Sequence, residues 1–254
     1  RHGVGYDNID VATLDRRGIP LTLVGNVNAL SVAEHALFMM LALAKRCVAY
    51  DRATRDGNWN IRDSFGATEL FGKKLLLLGF GRIGREVTRR AQAFGMIVMA
   101  YDPFVRAEAM YAARVQPVTD LRAGLPDADF VSIHLPLTPE TKGIINAEAL
   151  ATMKKSALVI STARGGIVDE AALASALKAG TIRGAGLDVF DAEPPPAHDA
   201  LLKLDNVLLS PHSAGLTEEC AMRMAEVSAR NVLAGLDGKL DPDLVVNKQT
   251  LRKK

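Results

Sequence analysis

A chain of 254 residues, 48% of them hydrophobic and 24% charged, has enough apolar side chain for a sizeable buried core and shows no bias toward disorder or fibrous repetition. Its 31 Lys and Arg against 29 Asp and Glu leave a formal charge of +2, too even to point to nucleic acid or an anionic membrane, so the expected partner is a small molecule. Cys47 and Cys220 alone make no disulfide framework and no structural zinc site, so no metal and a reducing cytoplasm are expected.

In chain order, a glycine-rich opening, GVGYDNIDV, leads into a short helix ending near Arg17 and a strand over IPLTLV, residues 19–24. A strong helix follows over residues 31–46, SVAEHALFMMLALAKR, with Ser31 and Glu34 at the spacing of a capping box. Its body is apolar almost all round, as expected of a helix clamped between lobes or subunits, with His35 packed or at the interface between lobes. The uncharged apolar run within it, residues 36–44, is far short of the roughly 20 residues of a membrane helix, and no leader peptide is expected. Residues 1–27 thus read as the remnant of a lobe whose other βα units lie outside this sequence, because one or two such units bury too little surface alone.

From Lys73 onward, short Val/Ile/Leu-rich runs alternate with segments of helical period, the pattern of βαβ units around a buried parallel sheet. Candidate strands are residues 74–80, 96–102, 129–135, 157–162, 184–190 and 206–212. Ile83, Val87, Ala91 and Phe94 make one helical stripe; Val168, Ala172, Leu173, Ala176 and Leu177 make another, which stops at Gly180. The expected architecture is a doubly wound, Rossmann-type α/β domain over residues 28–215, including the helix 31–46. Residues 216–254 hold a long helix that returns to the first lobe and a frayed, solvated tail, NKQTLRKK.

GFGRIG, residues 79–84, fits GxGxxG after an apolar strand and at the head of an amphipathic helix. Gly79 permits the tight turn, Gly81 lets a pyrophosphate approach the backbone, and Gly84 lets helix and strand pack closely. Asp102, at the end of the next strand, is placed to accept hydrogen bonds from the adenosine ribose and to repel a 2′-phosphate, which favours NAD over NADP. Pro103 and Phe104 follow it, and the nearest basic residue is Arg106.

Ligands of open parallel sheets bind beyond the carboxyl ends of the strands. Four features stand there: His134, Arg164 before Gly165 and Gly166, the segment DVFDAEP, and SPHSAG. Hydride exchange between nicotinamide and a hydroxy acid needs a cation for the carboxylate, an acid/base for the hydroxyl proton, and a group to hold that base. Arg164, His212 and Glu193 supply the set. Arg164 offers a planar fork for a carboxylate, and His212 is of the residue type that serves as acid and base near neutral pH. Strand-end position alone leaves His134 and His212 both open as the base.

GVGYDNIDV, SVAEHAL, GKKLLLLGFGRIGREV, YDPF, HLPLTPETKGIIN, STARGGIVDEAAL, GAGLDVFDAEPP and SPHSAGLTEE, in this order, resemble the D-isomer-specific 2-hydroxyacid dehydrogenases, the family of phosphoglycerate dehydrogenase, glyoxylate/hydroxypyruvate reductases and D-lactate dehydrogenase. The resemblance implies two α/β lobes, a Rossmann lobe and a flavodoxin-like substrate lobe that is incomplete here, with the active site in the cleft. It implies NAD as cofactor and a D-2-hydroxy or 2-keto acid as substrate; the apolar helix over residues 31–46, for its part, offers a face for pairing into a homodimer. Residue by residue, it assigns substrate carboxylate and keto oxygen to Arg164, acid/base work to His212, and support of that base to Glu193. It places Asp188 on the nicotinamide carboxamide, Thr162, Ala163 and the backbone of Arg82 and Ile83 on the cofactor, and the Val4 and Gly5 backbone on the substrate carboxylate. A second reading is a dinucleotide-controlled corepressor of the same architecture. Formate dehydrogenase, a further relative, carries glutamine in the place of Glu193.

Overall fold

A computed structural model of the chain describes residues 1–252. The elements are α1 Val11–Arg16, α2 Ala29–Ala44, α3 Cys47–Arg55, β1 Lys74–Leu78, α4 Arg82–Ala93, β2 Ile97–Tyr101, α5 Ala107–Ala112 and β3 Gln116–Pro117. They continue with α6 Leu121–Gly124, β4 Phe130–Ile133, α7 Ala147–Thr152, β5 Leu158–Ser161, α8 Glu170–Ala179, β6 Gly184–Leu187, β7 Val207–Leu209 and α9 Glu218–Leu236. The chain divides into two units, Arg1–Ser31 with the chain from Gly215 onward, and Val32–Ala214.

The larger unit is built on a seven-stranded parallel sheet in the order β3-β2-β1-β4-β5-β6-β7. Leu75, Leu76, Leu77 and Leu78 of β1 are all fully buried, so the strand has an apolar partner layer on both faces. On one face Leu75 and Leu77 pack with Met39 and Met40 of α2 and with Val87 and Ala91 of α4. On the other, Leu76 and Leu78 pack with Val131, Ile133 and Val159 and with Leu173 and Leu177 of α8. Burial on both faces is why these strands read as continuous apolar runs. Gly180 ends α8 in the left-handed region, φ +67°, as its place after the apolar stripe predicts.

Strand order reverses between β1 and β4, which leave in opposite directions across the sheet. That is where the crevice of a doubly wound fold lies. The edge strand β3 is absent from the sequence reading, because two residues, one of them proline, carry no periodicity; an edge tolerates the missing N–H. Phe94 is the other departure: it caps α4 and stands 45% exposed, outside the buried stripe of Val87 and Ala91.

The smaller unit corrects three expectations. No capping box forms at Ser31, because α2 already starts at Ala29, where the Ala29 N–H bonds the Asn26 carbonyl. Ser31 is instead buried, with its hydroxyl 3.2 Å from that of Thr217, the N-cap of α9. The expected strand at residues 19–24 is reduced to a single antiparallel bridge, Thr22 to Val245, flanked by the Leu23 N–H on the Leu244 carbonyl and the Val246 N–H on the Leu21 carbonyl, both at 2.9 Å; Pro20 carries no N–H with which to extend the pairing. No flavodoxin-like sheet is therefore present among the described residues of this unit.

Nor does the tail fray at its start. Asn247 is buried; its carboxamide oxygen accepts from the Leu21 N–H at 2.7 Å, and its amide nitrogen donates to Asp15 at 2.8 Å and to the Ile19 carbonyl at 2.9 Å. Lys248–Arg252 then forms a 3-10 turn, and the last two residues of the predicted tail lie outside the described ones. Three hydrogen bonds on one buried amide make Asn247 a staple between distant segments. Asn247→Ala is expected to cost about 2 kcal/mol, read as a lower urea midpoint at unchanged slope.

Candidate active site

The glycine loop shows why each glycine stands where it does. Gly79 has φ +99°, and a Cβ there would meet the His134 carbonyl oxygen at 2.8 Å, so the turns after β1 and β4 touch. A Cβ on Gly84 would run into the Gly79 carbonyl. Gly81, the N-cap of α4, differs: a Cβ there meets no protein atom within 4 Å. Its bare backbone faces open space beside the first N–H groups of α4, those of Arg82 and Ile83, which a helix leaves without intrahelical acceptors. Arg85 lies over the Phe80 ring, 4.4 Å from its centroid. Asp102, just beyond β2, accepts from the Phe80 N–H at 2.8 Å and the Phe104 N–H at 3.0 Å, which fixes its carboxylate against the glycine loop.

Thr162 and Ala163 follow β5 directly and are buried. The Thr162 hydroxyl, on a residue 7% exposed, has no hydrogen-bond partner among the described residues. A buried hydroxyl of this kind is costly unless a ligand or water meets it. Arg164 comes next, and its guanidinium donates to the Ala163 carbonyl at 2.6 Å. The backbone beyond it is clasped to the loop after β6. Any Cβ on Gly165 would overlap the Phe190 carbonyl, the Gly166 N–H donates to Asp191 at 2.5 Å, and the Asp191 N–H donates to Glu170 at 2.7 Å. Burial holds the Glu170 carboxyl above the ordinary carboxylate range; the charges of Asp191, Asp199 and Glu193 push the same way, and the Asp191 N–H opposes them.

Glu193 and His212 meet, with Nδ1 of the imidazole 2.7 Å from Oε2 of the carboxylate. The other carboxylate oxygen accepts from the Phe190 N–H at 3.1 Å, so Glu193 is held by its own loop while it holds the histidine. His212 has φ +50°, left-handed for a residue with a side chain, and its N–H donates to the Asp188 carbonyl at 2.8 Å. His134 is placed otherwise. Its Nε2 is 2.9 Å from the Ser132 hydroxyl, and burial pushes its pKa down to about 3. A histidine held neutral cannot donate a proton near neutral pH, so the structure favours His212, the one paired with a carboxylate.

Asp188 is 1% exposed, and its carboxylate accepts from the Ser210 hydroxyl, from the Ser213 N–H at 2.8 Å and from the Ala214 N–H at 2.9 Å. The sequence reading missed one member of this group: His35, whose Nε2 lies 2.9 Å from the Ser210 hydroxyl and 3.8 Å from Asp188. Its helix reads as uniformly apolar, and nothing local links residue 35 to residue 210. Val4 and Gly5 belong to the smaller unit, where Val4 packs against Val24, Cys220 and Met224 and the Gly5 carbonyl accepts from the Arg1 guanidinium at 3.0 Å.

A family model for the D-isomer specific 2-hydroxyacid dehydrogenase, NAD binding domain, matches residues 37–214. The chain belongs to this family. It is 43% identical over 248 residues to a glyoxylate reductase of Korarchaeum cryptofilum, a match that covers 96% of this chain and 74% of the reductase. It is 42% identical over 245 residues to a D-3-phosphoglycerate dehydrogenase of Methanocaldococcus jannaschii, covering 96% of this chain but only 46% of that enzyme. A D-lactate dehydrogenase of Aquifex aeolicus, solved with NAD and lactic acid, superposes with a TM-score of 0.88 at 34% identity, over 96% of this chain and 78% of that one. The larger unit is thus the NAD-binding domain of a family of NAD-dependent D-2-hydroxyacid dehydrogenases.

The residues present fit the cofactor. Open space over Gly81, the carboxylate of Asp102 fixed at the end of β2, and the unpartnered Thr162 hydroxyl are what a dinucleotide lying across the carboxyl ends of β1, β2 and β5 would use. Gly81→Ala and Gly165→Ala separate ligand space from packing space. Gly81→Ala is expected to leave the melting temperature unchanged and to weaken NADH binding about tenfold or more by fluorescence titration. Gly165→Ala, forced into the Phe190 carbonyl, is expected to cost about 2 kcal/mol in unfolding experiments.

Proposed function

We propose that the protein interconverts a small D-2-hydroxy acid and its 2-keto acid, with Arg164, Glu193 and His212 as its catalytic residues. The observation that carries this reading is the Glu193–His212 pair at 2.7 Å, borne on the loops after β6 and β7, beside the clasped loop of Arg164. The nicotinamide, when bound, supplies or accepts the hydride at substrate C2. Arg164 grips the substrate carboxylate with its planar fork and polarises the keto oxygen. In reduction, protonated His212 gives its proton to that oxygen as the hydroxyl forms; in oxidation, neutral His212 takes the proton back. Glu193 stabilises the imidazolium and fixes the ring through Nδ1, which leaves Nε2 to exchange the proton. Gly79, Gly81 and Gly84 with the N–H groups of Arg82 and Ile83 receive the pyrophosphate, Asp102 the adenosine ribose, and Thr162, Ala163 and Asp188 the nicotinamide end.

Glyoxylate is the first substrate to test, since a glyoxylate reductase is among the relatives most similar to this chain, at 43% identity. The relatives reported are a reductase and dehydrogenases, which favours turnover over a dinucleotide-controlled corepressor. Free thiols at Cys47 and Cys220 suit the cytoplasm, and no described helix is long and apolar enough to cross a membrane. Leu37, Phe38, Leu41, Ala42 and Phe94 line an apolar groove on α2 and α4, with Phe38 53% exposed, and this face supports a homodimer.

NADH oxidation across glyoxylate, hydroxypyruvate and pyruvate tests the activity; no turnover with any of them speaks for the corepressor. Arg164→Ala is expected to raise KM for the keto acid and to lower kcat, together about a thousandfold in kcat/KM. Glu193→Gln removes the charge that favours imidazolium, so the rate of reduction is expected to fall away at lower pH than in the wild type. Wild-type profiles in both variants overturn the assignment. Sedimentation is expected to give a dimer, and Phe38→Glu a monomer.

A further inference from the structure

Asp188 has a buried carboxylate whose acceptors are taken up by one hydroxyl and two backbone N–H groups of the segment 210–214. A hydroxyl has one proton, and Ser210 spends it on Asp188. The contact of 2.9 Å between Ser210 and His35 therefore runs the other way: Nε2–H of His35 donates, and the Ser210 oxygen accepts. The tautomer is set by this count. Hydrogen bonds aligned head to tail polarise one another, so the His35 donor strengthens the Ser210–Asp188 bond behind it. The chain ends at the catalytic turn, because the Asp188 carbonyl receives the His212 N–H and its carboxylate receives the N–H groups of Ser213 and Ala214. His212 needs that restraint, since its φ of +50° is costly for a non-glycine residue. The ring of His35 is itself oriented by Phe38, whose centroid is 5.6 Å away at a tilt of 57°.

We propose that His35 is a positioning residue for the hydroxyacid dehydrogenase reaction, acting through Ser210 and Asp188 to hold the turn that presents His212. The proposal rests on His212 being the acid/base. His35 touches no reacting atom; what it supplies is one N–H, aimed from α2 at the back of the catalytic turn. The requirement is therefore for a donor at the place of Nε2, not for an imidazole as such. Glutamine carries an N–H₂ at nearly that reach, whereas leucine fills similar volume with no donor.

The test compares His35→Leu, His35→Gln and Ser210→Ala in the whole protein, by steady-state kinetics with the preferred 2-keto acid and by NADH titration, with His212→Asn as control. His35→Leu and Ser210→Ala are expected to lower kcat about tenfold while KM for the keto acid stays within about twofold, and His35→Gln to recover most of the lost kcat. A merely structural role would move melting temperature and both kinetic constants together, with no recovery by glutamine, and that result overturns the proposal. Wild-type kcat in His35→Leu overturns it as well, provided His212→Asn abolishes turnover. If His212→Asn turns over normally, it is the catalytic reading of His212 that fails.

Discussion

One carboxylate fixes the geometry on which the site depends. Asp188 sits at the end of β6 with 1% of its surface exposed, and a buried carboxylate without donors costs several kcal/mol. The chain meets that demand with the segment immediately after β7, folding it so that Ser210, Ser213 and Ala214 all point donors at one side chain. A segment curled around an anion in this way has little freedom left. His212 lies inside the curl, and its left-handed backbone and outward ring follow from it. Electrostatics of a buried group thus become the stereochemistry of an exposed one.

The parallel sheet does the coarser work. All seven strands point the same way, so the glycine loop, Asp102, His134, Arg164, Asp188 and the His212 turn emerge at one edge, although they are spread over most of the larger unit's sequence. The central strands β4, β5 and β6 are buried along their whole length, which anchors the loops that leave them. The site then needs only short-range devices to set distances between neighbouring loops: a glycine against a carbonyl at residues 165 and 190, a carboxylate across two N–H groups at Asp188, and a hydrogen-bonded contact between Glu193 and His212.

What the sequence makes legible is what is local or periodic. The strands over residues 74–80 and 157–162 carry unbroken apolar runs, and the glycines at 79, 81 and 84 occupy a turn whose geometry needs each of them, so both are readable. Ser31 and Glu34 mislead for the same reason: capping-box spacing is a local signal, and α2 starts earlier because Asn26 offers a carbonyl to Ala29. Asn247 reads as part of a frayed tail because polar residues near a terminus usually are, while its three bonds go to residues 15, 19 and 21. His35 was hidden by its own helix. Contacts across more than a hundred residues leave no mark on composition or period, and only the folded chain can display them.

The acidic surroundings of the site pose a last physical question. Glu170, Asp191, Glu193 and Asp199 gather beside a place proposed to hold an anionic substrate, and such a field opposes its entry. Each of these carboxylates accepts from a backbone N–H of the loops it stitches: Glu170 from Asp191, Asp191 from Gly166, Glu193 from Phe190, and Asp199 from Leu201. They are structural acceptors first, in loops too irregular to satisfy their own N–H groups. Burial first, and the charges of these neighbours after it, raise the Glu170 carboxyl above its ordinary value. The role proposed for Arg164 answers that field: a planar fork aimed at one carboxylate selects an α-keto or α-hydroxy acid in one orientation rather than anions at large.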